Sequence, residues 1–484
     1  MSIEEILKRP EGKTLEFKRD LSSPKNLLKT LVAFANTAGG LVIIGVDDQT
    51  RVPVGVGHPL DEEERLCSLI ADSIHPRLVP DIEMITVDGK TLLLVKVFLS
   101  GSRPHWLKAE GPETGVYVRL GSTNRQADRE LIAELRRSVE GIGFDELPIT
   151  GLTLEDLDLT AMKSLFHNQR ELGENDLLTL RLLTQEQGRL VPTKGAVLLF
   201  GKERTRHFPD AWVQCGRFVG RDKAAIFDHI ELYDHLPLAV DSIMMFLKKH
   251  AMRGADFSEI RRKDVWSIPL GILREAVINS LVHADYSQRG APIRIAFFDN
   301  RIEIENPGIL LPGMTIDDMR RGVSKIRNHV IARVFRELKL IEQWGSGVRR
   351  MFKEAEEQGL PAPEIVEVGM RMRFIVPLAE SIAVQQAVEL VAPQVTPPVT
   401  PPVTPPVKNL LWLLEQNEEL GAQSIRKGLT LKDRTHVRET YINPALEAGL
   451  IEMTIPDKPN SRMQKYRLTA KGKQVAQELL TKGG

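Results

Sequence analysis

Val395–Val407 reads VTPPVTPPVTPPV, and no other stretch limits the fold of this chain as severely. Proline has no backbone N–H for a helix interior or a central strand. A repeat this dense in proline is expected to be extended polyproline II. From Pro393 to Val407 it would reach about 45 Å at ~3.1 Å per residue. Residues 379–407 therefore read as a linker, and 408–484 as a module that folds by itself. The part before the linker is too long for one core, so several domains are expected there. Lys+Arg and Asp+Glu both number 65, and a net charge of zero gives no sign of a polyanion partner. Cys67 and Cys215 are the only cysteines, which excludes a disulfide framework and a cysteine zinc site. The N-terminal residues lack an apolar core of signal-peptide length, and no run approaches the ~18 apolar residues of a membrane span. The expectation is a soluble, cytoplasmic protein with no membrane partner.

Within residues 1–140, Ile3–Lys8 reads as a short helix, Thr14–Lys18 as a strand and Leu27–Asn36 as an apolar helix. Gly39-Gly40 turns the chain into the buried strand Leu41–Val46, followed by Asp47 and Asp48. Thr91–Phe98 and Gly115–Leu120 complete a small α/β unit. The pieces EGKTLEFK, AFANTAGGLVIIGVDD, Pro104 and GVYVRLGSTNRQAD, in that order, resemble the Schlafen-type AlbA-like nucleic-acid-binding domain. Schlafen relatives that cut RNA hold a metal on two glutamates and an aspartate. The resemblance puts Glu11, Glu16 and Asp47 in those places, which implies a metal-dependent nuclease for RNA or DNA. The other reading makes Glu11 a turn cap and Glu16–Lys18 a surface ion pair. Lys18, Arg119 and Arg125 are the candidate nucleic-acid contacts, the two arginines flanking the Gly121–Asn124 turn.

Residues 141–260 read as a connecting α/β region. Thr153–Gln169 and Asp176–Gln187 look like amphipathic helices, Thr193–Gly201 like a loop entering a buried strand, Trp212–Phe218 like a strand and Leu238–His250 like a helix. The histidines here have no metal-ligand spacing.

In residues 261–378, Arg274–Tyr286 (REAVINSLVHADY) contains no Gly or Pro and reads as a helix of more than three turns. Glu275, Asn279 and His283 recur every fourth residue, so they share one stripe. Strands Ile293–Phe298 and Arg301–Glu305 follow, joined at Asp299-Asn300. Next come ENPGILLPG (305–313), KIRN (325–328) and EQWGSGVRR (342–350). This set resembles the GHKL ATP-binding fold shared by gyrase, Hsp90, MutL and histidine kinases. The resemblance implies ATP and Mg²⁺ as cofactors, with Glu275 as the base that polarises the attacking water and Asn279 on the metal. Gly345 and Gly347 would admit the phosphates to a helix start, with Lys325, Arg327, Arg349 and Arg350 as their cationic partners. His283 is left open between packing and catalysis. The family reads adenine with the aspartate of DxGxG. Here the stretch is Glu305-Asn306-Pro307-Gly308, so Glu305 or Asn306 takes that role or adenine is read differently. A P-loop helicase is excluded: the GKT triplets at Gly12–Thr14 and Gly89–Thr91 have Leu7 and Met84 where GxxxxGK[ST] needs glycine.

In the tail, Leu410–Gln416, Ala422–Leu429 and Lys432–Ala448 read as helices, with Pro444 interrupting the third and Gly449 ending it. Leu450–Ile455 and Gln464–Leu468 read as a two-stranded wing. The pattern resembles the winged helix-turn-helix domains of bacterial regulators. That resemblance implies DNA contacts from Arg434 and Arg438 on the recognition helix and from Lys458, Arg462 and Lys465 on the wing.

The fold expected is therefore multidomain α/β and α+β: a Schlafen AlbA-like domain, a GHKL α/β sandwich and a C-terminal winged helix-turn-helix. The function expected is an ATP-binding regulator of nucleic-acid transactions, most of all of transcription. DNA is the partner, RNA a second one, and ATP-dependent homodimerisation is implied by the GHKL relatives. The alternatives are an ATP-gated Schlafen-type nuclease in phage defence and an interaction scaffold with a vestigial nucleotide site.

Overall fold

Leu15–Lys18 and Gly40–Ile44 lie side by side as parallel strands because the helix Pro24–Asn36 carries the chain back between them. In the computed structural model they begin a four-stranded sheet that continues through Lys90–Val97 to Asp81–Val87. The structure describes residues 2–167, 169, 171–251, 253–256, 263–341, 347–379, 405–429, 431, 433, 437–455 and 463–481. It divides into two units, Met1–Gln386 and Ala387–Gly484.

In the first unit the helix Pro24–Asn36 presses Leu27, Leu31 and Phe34 onto Val42, Ile44, Leu93 and Val95. Each such side chain contributes roughly 1.5–3 kcal/mol by leaving water. Gly39 turns the chain at φ +71, and a Cβ on Gly40 would strike the Phe34 ring, so both glycines are needed here. Asn36 ends the helix by donating from Nδ2 to His105 O at 2.9 Å and Tyr117 O at 3.0 Å. That ties the sheet to a separate hairpin, Tyr117–Leu120 with Thr123–Gln126. The helix Pro59–Ser73 was not expected, because its acidic first turns mask the short apolar face of Leu66 and Ile70.

A six-stranded sheet follows in the order Ile226–Leu232, Val213–Phe218, Ile293–Phe297, Arg301–Pro307, Arg371–Pro377, Glu364–Val368. One core runs from Leu157 to Leu378 across this sheet and its helices. Three expectations are corrected here. Lys194–Phe200 is a helix, not a strand, capped by Thr193 Oγ1 on Ala196 N at 3.1 Å. It is buried all round, and such a helix has no period that separates it from a buried strand. The helix expected over Asp176–Gln187 ends at Thr179, and Leu183–Glu186 pairs with Arg189–Pro192. Gln187 and Gly188 join them at φ 48 and 78, the left-handed pair of a tight hairpin turn. Over Thr153–Gln169 the helical part is a single turn at Leu154–Asp156 followed by Leu159–Phe166.

In the second unit Pro405–Glu415, Ala422–Gly428 and Asn443–Glu447 are helices, and Leu420–Gly421, Lys465–Leu468 and Ile451–Met453 form a sheet in that order. The first helix starts inside the proline repeat, where Pro is tolerated in an opening turn whose N–H groups have no partner. Ahead of Pro444 the chain widens into a π-helical turn, Arg438–Ile442, and Gly449 stops the helix at φ +65. Leu410, Leu414, Ile425, Ile442 and Leu468 make the core. A terminal helix, Ala470–Thr481, was not expected.

Candidate nucleotide site

The helix Leu270–His283 buries Ile272, Leu273, Ala276, Val277, Ile278, Leu281 and Val282, so almost its whole circumference is apolar. A polar stripe on such a helix has to face something other than core. It faces a cavity of about 470 Å³, lined by Glu275, Asn279 and His283 from the stripe. Asn306, Met372 and Phe374 line it from the sheet, and parts of Ile309–Arg327 close another side. Asn328, the last residue of KIRN, holds the end of the stripe helix: its Nδ2 donates to Val282 O at 2.8 Å and Ala284 O at 2.7 Å.

Glu275 and Asn279 are bonded to each other. Asn279 Nδ2 donates to Glu275 Oε1 at 3.0 Å and to the Glu275 carbonyl at 2.9 Å. Both amide donors are thus turned toward Glu275, which leaves Oδ1 as the acceptor available to a cation. Arg350 Nη2 donates to Glu275 Oε2 at 2.9 Å. Gly347 opens the helix Gly347–Glu357 directly against this carboxylate, and a Cβ there would overlap Glu275 Oε1. Gly345 lies outside the described residues. Among the described lining residues, Lys325, Arg327, Arg336 and Arg350 stand against the single carboxylate of Glu275. That balance suits an anionic ligand. Burial pushes His283 down from 6.5 to about 4, and the Arg327 charge adds to the shift. The ring is therefore neutral at pH 7.

Lys325 Nζ donates to Pro312 O at 2.8 Å, and burial, then Arg103, lower its proton affinity. Arg327 is buried, ion-paired with Glu134 and donating to Ile309 O. Gly308 takes φ +101, with Asp285 and Arg327 where a side chain would go. Of the two candidates for reading a base, the sheet separates them. Glu305 faces away from the cavity and pairs with Arg371 at 3.1 Å and Arg373 at 2.8 Å, whereas Asn306 lines it.

The N-terminal domain contacts segments that border this cavity. Glu134 belongs to the helix Arg129–Glu140. Lys13 Nζ meets Glu367 Oε1 at 2.7 Å, and the same oxygen accepts from Leu310 N at 2.9 Å. Gly313 N donates to Thr37 O at 2.6 Å. Sequence reasoning missed Glu134 and Arg336. Arg336 lies four residues after Ala332 on the helix His329–Glu337, and both line the cavity, so period alone would have signalled it. Nothing local marks Glu134.

The Schlafen-type carboxylates do not converge, which corrects the metal expectation. Glu11 Oε1 accepts from Phe17 N at 2.9 Å. Glu16 is buried between Lys18, at 2.5 Å, and Arg119. Asp47 is drawn off to the Thr50 turn and to Arg19 at 3.0 Å. No cluster of His, Cys, Asp or Glu that could hold a metal occurs among the described residues. Arg119 is corrected too: it is 1 % exposed, bonded to Glu16, Gly12 O and Asn124 and stacked over Phe34, so it cannot meet a phosphate. Lys18 is engaged by Glu16, and Arg125 is exposed. In the tail, Arg438 is exposed on the wide turn and Lys465 pairs with Glu419 at 2.6 Å. Arg434, Lys458 and Arg462 lie outside the described residues.

Residues 11–128 match the family model described as "Schlafen, AlbA_2". Residues 290–376 match "Putative ATP-dependent DNA helicase recG C-terminal", a segment that begins after Glu275 and Asn279. Residues 405–469 match "Filamentation induced by cAMP protein Fic-like, C-terminal domain". Among solved structures, the DIP2311 protein of Corynebacterium diphtheriae is 20% identical with a TM-score of 0.41, covering 98% of each chain. The N-terminal domain of a RecG-related protein from Nitrosomonas europaea is 31% identical with a TM-score of 0.22, covering 26% of this chain and 90% of that one. A Fic family protein of Desulfovibrio desulfuricans is 16% identical with a TM-score of 0.14, covering 72% of this chain and 77% of that one. No curated protein matches the chain.

Proposed function

Because the chain belongs to the AlbA-like ATPase family, which joins a Schlafen AlbA_2 domain to a RecG C-terminal-like ATPase domain, we propose that it is an ATP-binding regulator of nucleic-acid transactions, acting on transcription. The observation that carries this reading is Arg327, which lines the cavity while paired with Glu134 of the N-terminal helix Arg129–Glu140. An anion entering the cavity competes with Glu134 for that guanidinium, and so shifts the fit between the ATPase core and the nucleic-acid domain. Phosphates are taken by Arg350, Lys325 and the helix start at Gly347. Asn279 Oδ1 holds the Mg²⁺ that travels with the nucleotide, an ion that needs few protein ligands and supplies charge neutralisation at the phosphates. Glu275 orients water for hydrolysis. DNA is met by the N-terminal domain around Arg125 and by the tail, read as a winged helix-turn-helix presenting Arg438 and Lys465. The protein works in the cytoplasm and pairs into a dimer on ATP.

The test is nucleotide binding and ATP hydrolysis by wild type, Glu275→Ala and Asn279→Ala, with gel shifts on DNA with and without ATP. We expect ATP to raise the melting temperature of wild type, and both variants to lose hydrolysis. Asn279→Ala should also lose the Mg²⁺ dependence of binding. Absence of any ATP-induced rise in melting temperature sinks the reading, and DNA affinity unchanged by ATP sinks the switch. Cleavage of RNA or DNA lost in Glu16→Ala would replace it with a nuclease. A monomer in sedimentation with and without ATP would remove the dimer.

A further inference from the structure

A second cavity, of about 460 Å³, shares no lining residue with the nucleotide cavity. Three parts of the chain that are distant in sequence wall it: the helix Arg129–Glu140, Lys194 with residues 207–211, and residues 285–293. Ligand sites concentrate where such parts meet. Phe144, Ile149, Phe208 and Ile293 give it an apolar lining, with Phe144 edge-on to Phe208 at 6.1 Å.

Two cations share the Phe144 ring. Lys194 Nζ stands 4.1 Å from its centre and the Arg137 guanidinium carbon 5.4 Å. Both side chains are half-buried and both line the cavity. Among the described residues, neither side chain has an ion pair or a hydrogen bond. Glu134, whose charge reaches Arg137, is already paired with Arg327. Burial lowers the proton affinity of Lys194, and the Arg137 charge lowers it further. Like charges held together in part-buried surroundings repel, and a shared counter-ion relieves both. The inner carboxylates of the cavity are engaged in turns. Asp210 accepts from Gly290 N at 2.8 Å, and Asp285 accepts from Ser287 N at 3.1 Å and Gln288 Nε2 at 3.2 Å. Glu130 is exposed, as are Arg129 and Arg289 beside the same cavity.

We propose that this cavity is a second anion site, separate from the nucleotide cavity, and that it takes a phosphate monoester with an apolar body. A monoester carries close to two charges at pH 7, which matches the pair Arg137 and Lys194. The guanidinium offers its oxygens a planar fork and the ammonium a point charge. The body lies against Ile149, Phe208 and Ile293. Arg137 belongs to the helix Arg129–Glu140 and Lys194 to the connecting region, so the bound phosphate ties the two together.

The experiment follows the melting temperature of the full chain against phenyl phosphate and against inorganic phosphate, with sodium chloride at matched ionic strength as the baseline. Wild type is expected to show a saturable rise, with phenyl phosphate half-saturating at a concentration about tenfold lower, the gain from burying its ring. Lys194→Met keeps an apolar stem over Phe144 without the charge, and is expected to lose about tenfold or more in affinity. Arg137→Met serves in its place if that variant does not fold. Arg350→Ala, at the nucleotide cavity, is expected to keep the wild-type rise. Absence of a saturable rise in wild type overturns the inference. So does a rise that Arg350→Ala removes and Lys194→Met keeps, since the anion then sits in the nucleotide cavity. Equal half-saturation by the two phosphates overturns the ester. Calorimetric titration of phenyl phosphate in the presence of a short DNA strand separates the sources. Competition by the 5′-phosphorylated strand alone assigns the site to a strand end, and competition by neither form assigns it to a free small molecule.

Discussion

Glu134 and Arg327 meet 193 residues apart in sequence, with side chains only 10 % and 6 % exposed. Replacing Glu134 with Gln removes the charge but keeps the volume. The guanidinium is then left in the interior with the Ile309 carbonyl as its remaining close partner among the bonds described. Breaking one side of a buried pair costs about 3–5 kcal/mol, and the lower end is expected here because the Asp285 and Glu367 charges still act on Arg327. Arg327→Met should cost a similar amount through a stranded Glu134. Removing both charges, as Glu134→Gln with Arg327→Met, should restore most of the stability, since replacing both members of a buried pair by uncharged groups is often close to neutral. The coupling energy of the cycle should therefore reach about 2 kcal/mol or more. The assay is urea unfolding of the full chain for wild type, each single variant and the double, with slopes compared to confirm a common transition. The double variant should also bind ATP while its DNA affinity no longer responds to the nucleotide. Single variants that cost under about 1 kcal/mol, or a double that is simply additive, would refute the buried-pair argument.

Arg119→Ala should cost about 1–3 kcal/mol, because Glu16 keeps its pair with Lys18 while the Gly12 carbonyl and Asn124 lose a buried donor. Arg125→Ala should leave stability within about 0.5 kcal/mol yet lower the salt slope of DNA binding by about one. Melting curves and gel shifts over a salt series separate the two. Gly347→Ala gains roughly 0.5–1 kcal/mol of helix propensity, but its methyl must displace Glu275, an overpacking cost of about 1–3 kcal/mol. The net is a loss of stability together with a loss of hydrolysis, and a stabilised, fully active variant would contradict the contact. His283 has its folded pKa depressed from 6.5 to about 4, so its share of stability is full above 6.5 and is lost as pH falls through that window. That share is roughly 3 kcal/mol. Wild type should therefore lose more stability between pH 7 and 4 than His283→Phe, and parallel pH curves would exclude it.

Much of the candidate site could be read from local pattern. The four-residue spacing of Glu275 and Asn279 puts both on one helical stripe whatever surrounds it, and the structure bonds them directly. Gly449 and Pro444 also acted through local backbone chemistry, as a helix stop and an interruption. What local pattern could not decide was which charged groups are already neutralised. Arg119 and Glu16 read as a phosphate contact and a metal ligand, but they are 103 residues apart and consume each other once the hairpin packs on the sheet. Lys194–Phe200 is equally apolar as helix or strand, and only the surrounding core decides between them. Glu305 and Asn306 are chain neighbours of similar promise, and strand alternation sends one to Arg371 and Arg373 and the other to the cavity. The sequence alone determined the helical stripe, the glycine turns and the division at the proline repeat, because these depend on backbone geometry over a few residues. Tertiary structure alone decided which side chains remain available to a ligand, because neutralising a charge requires a partner that only folding brings within reach.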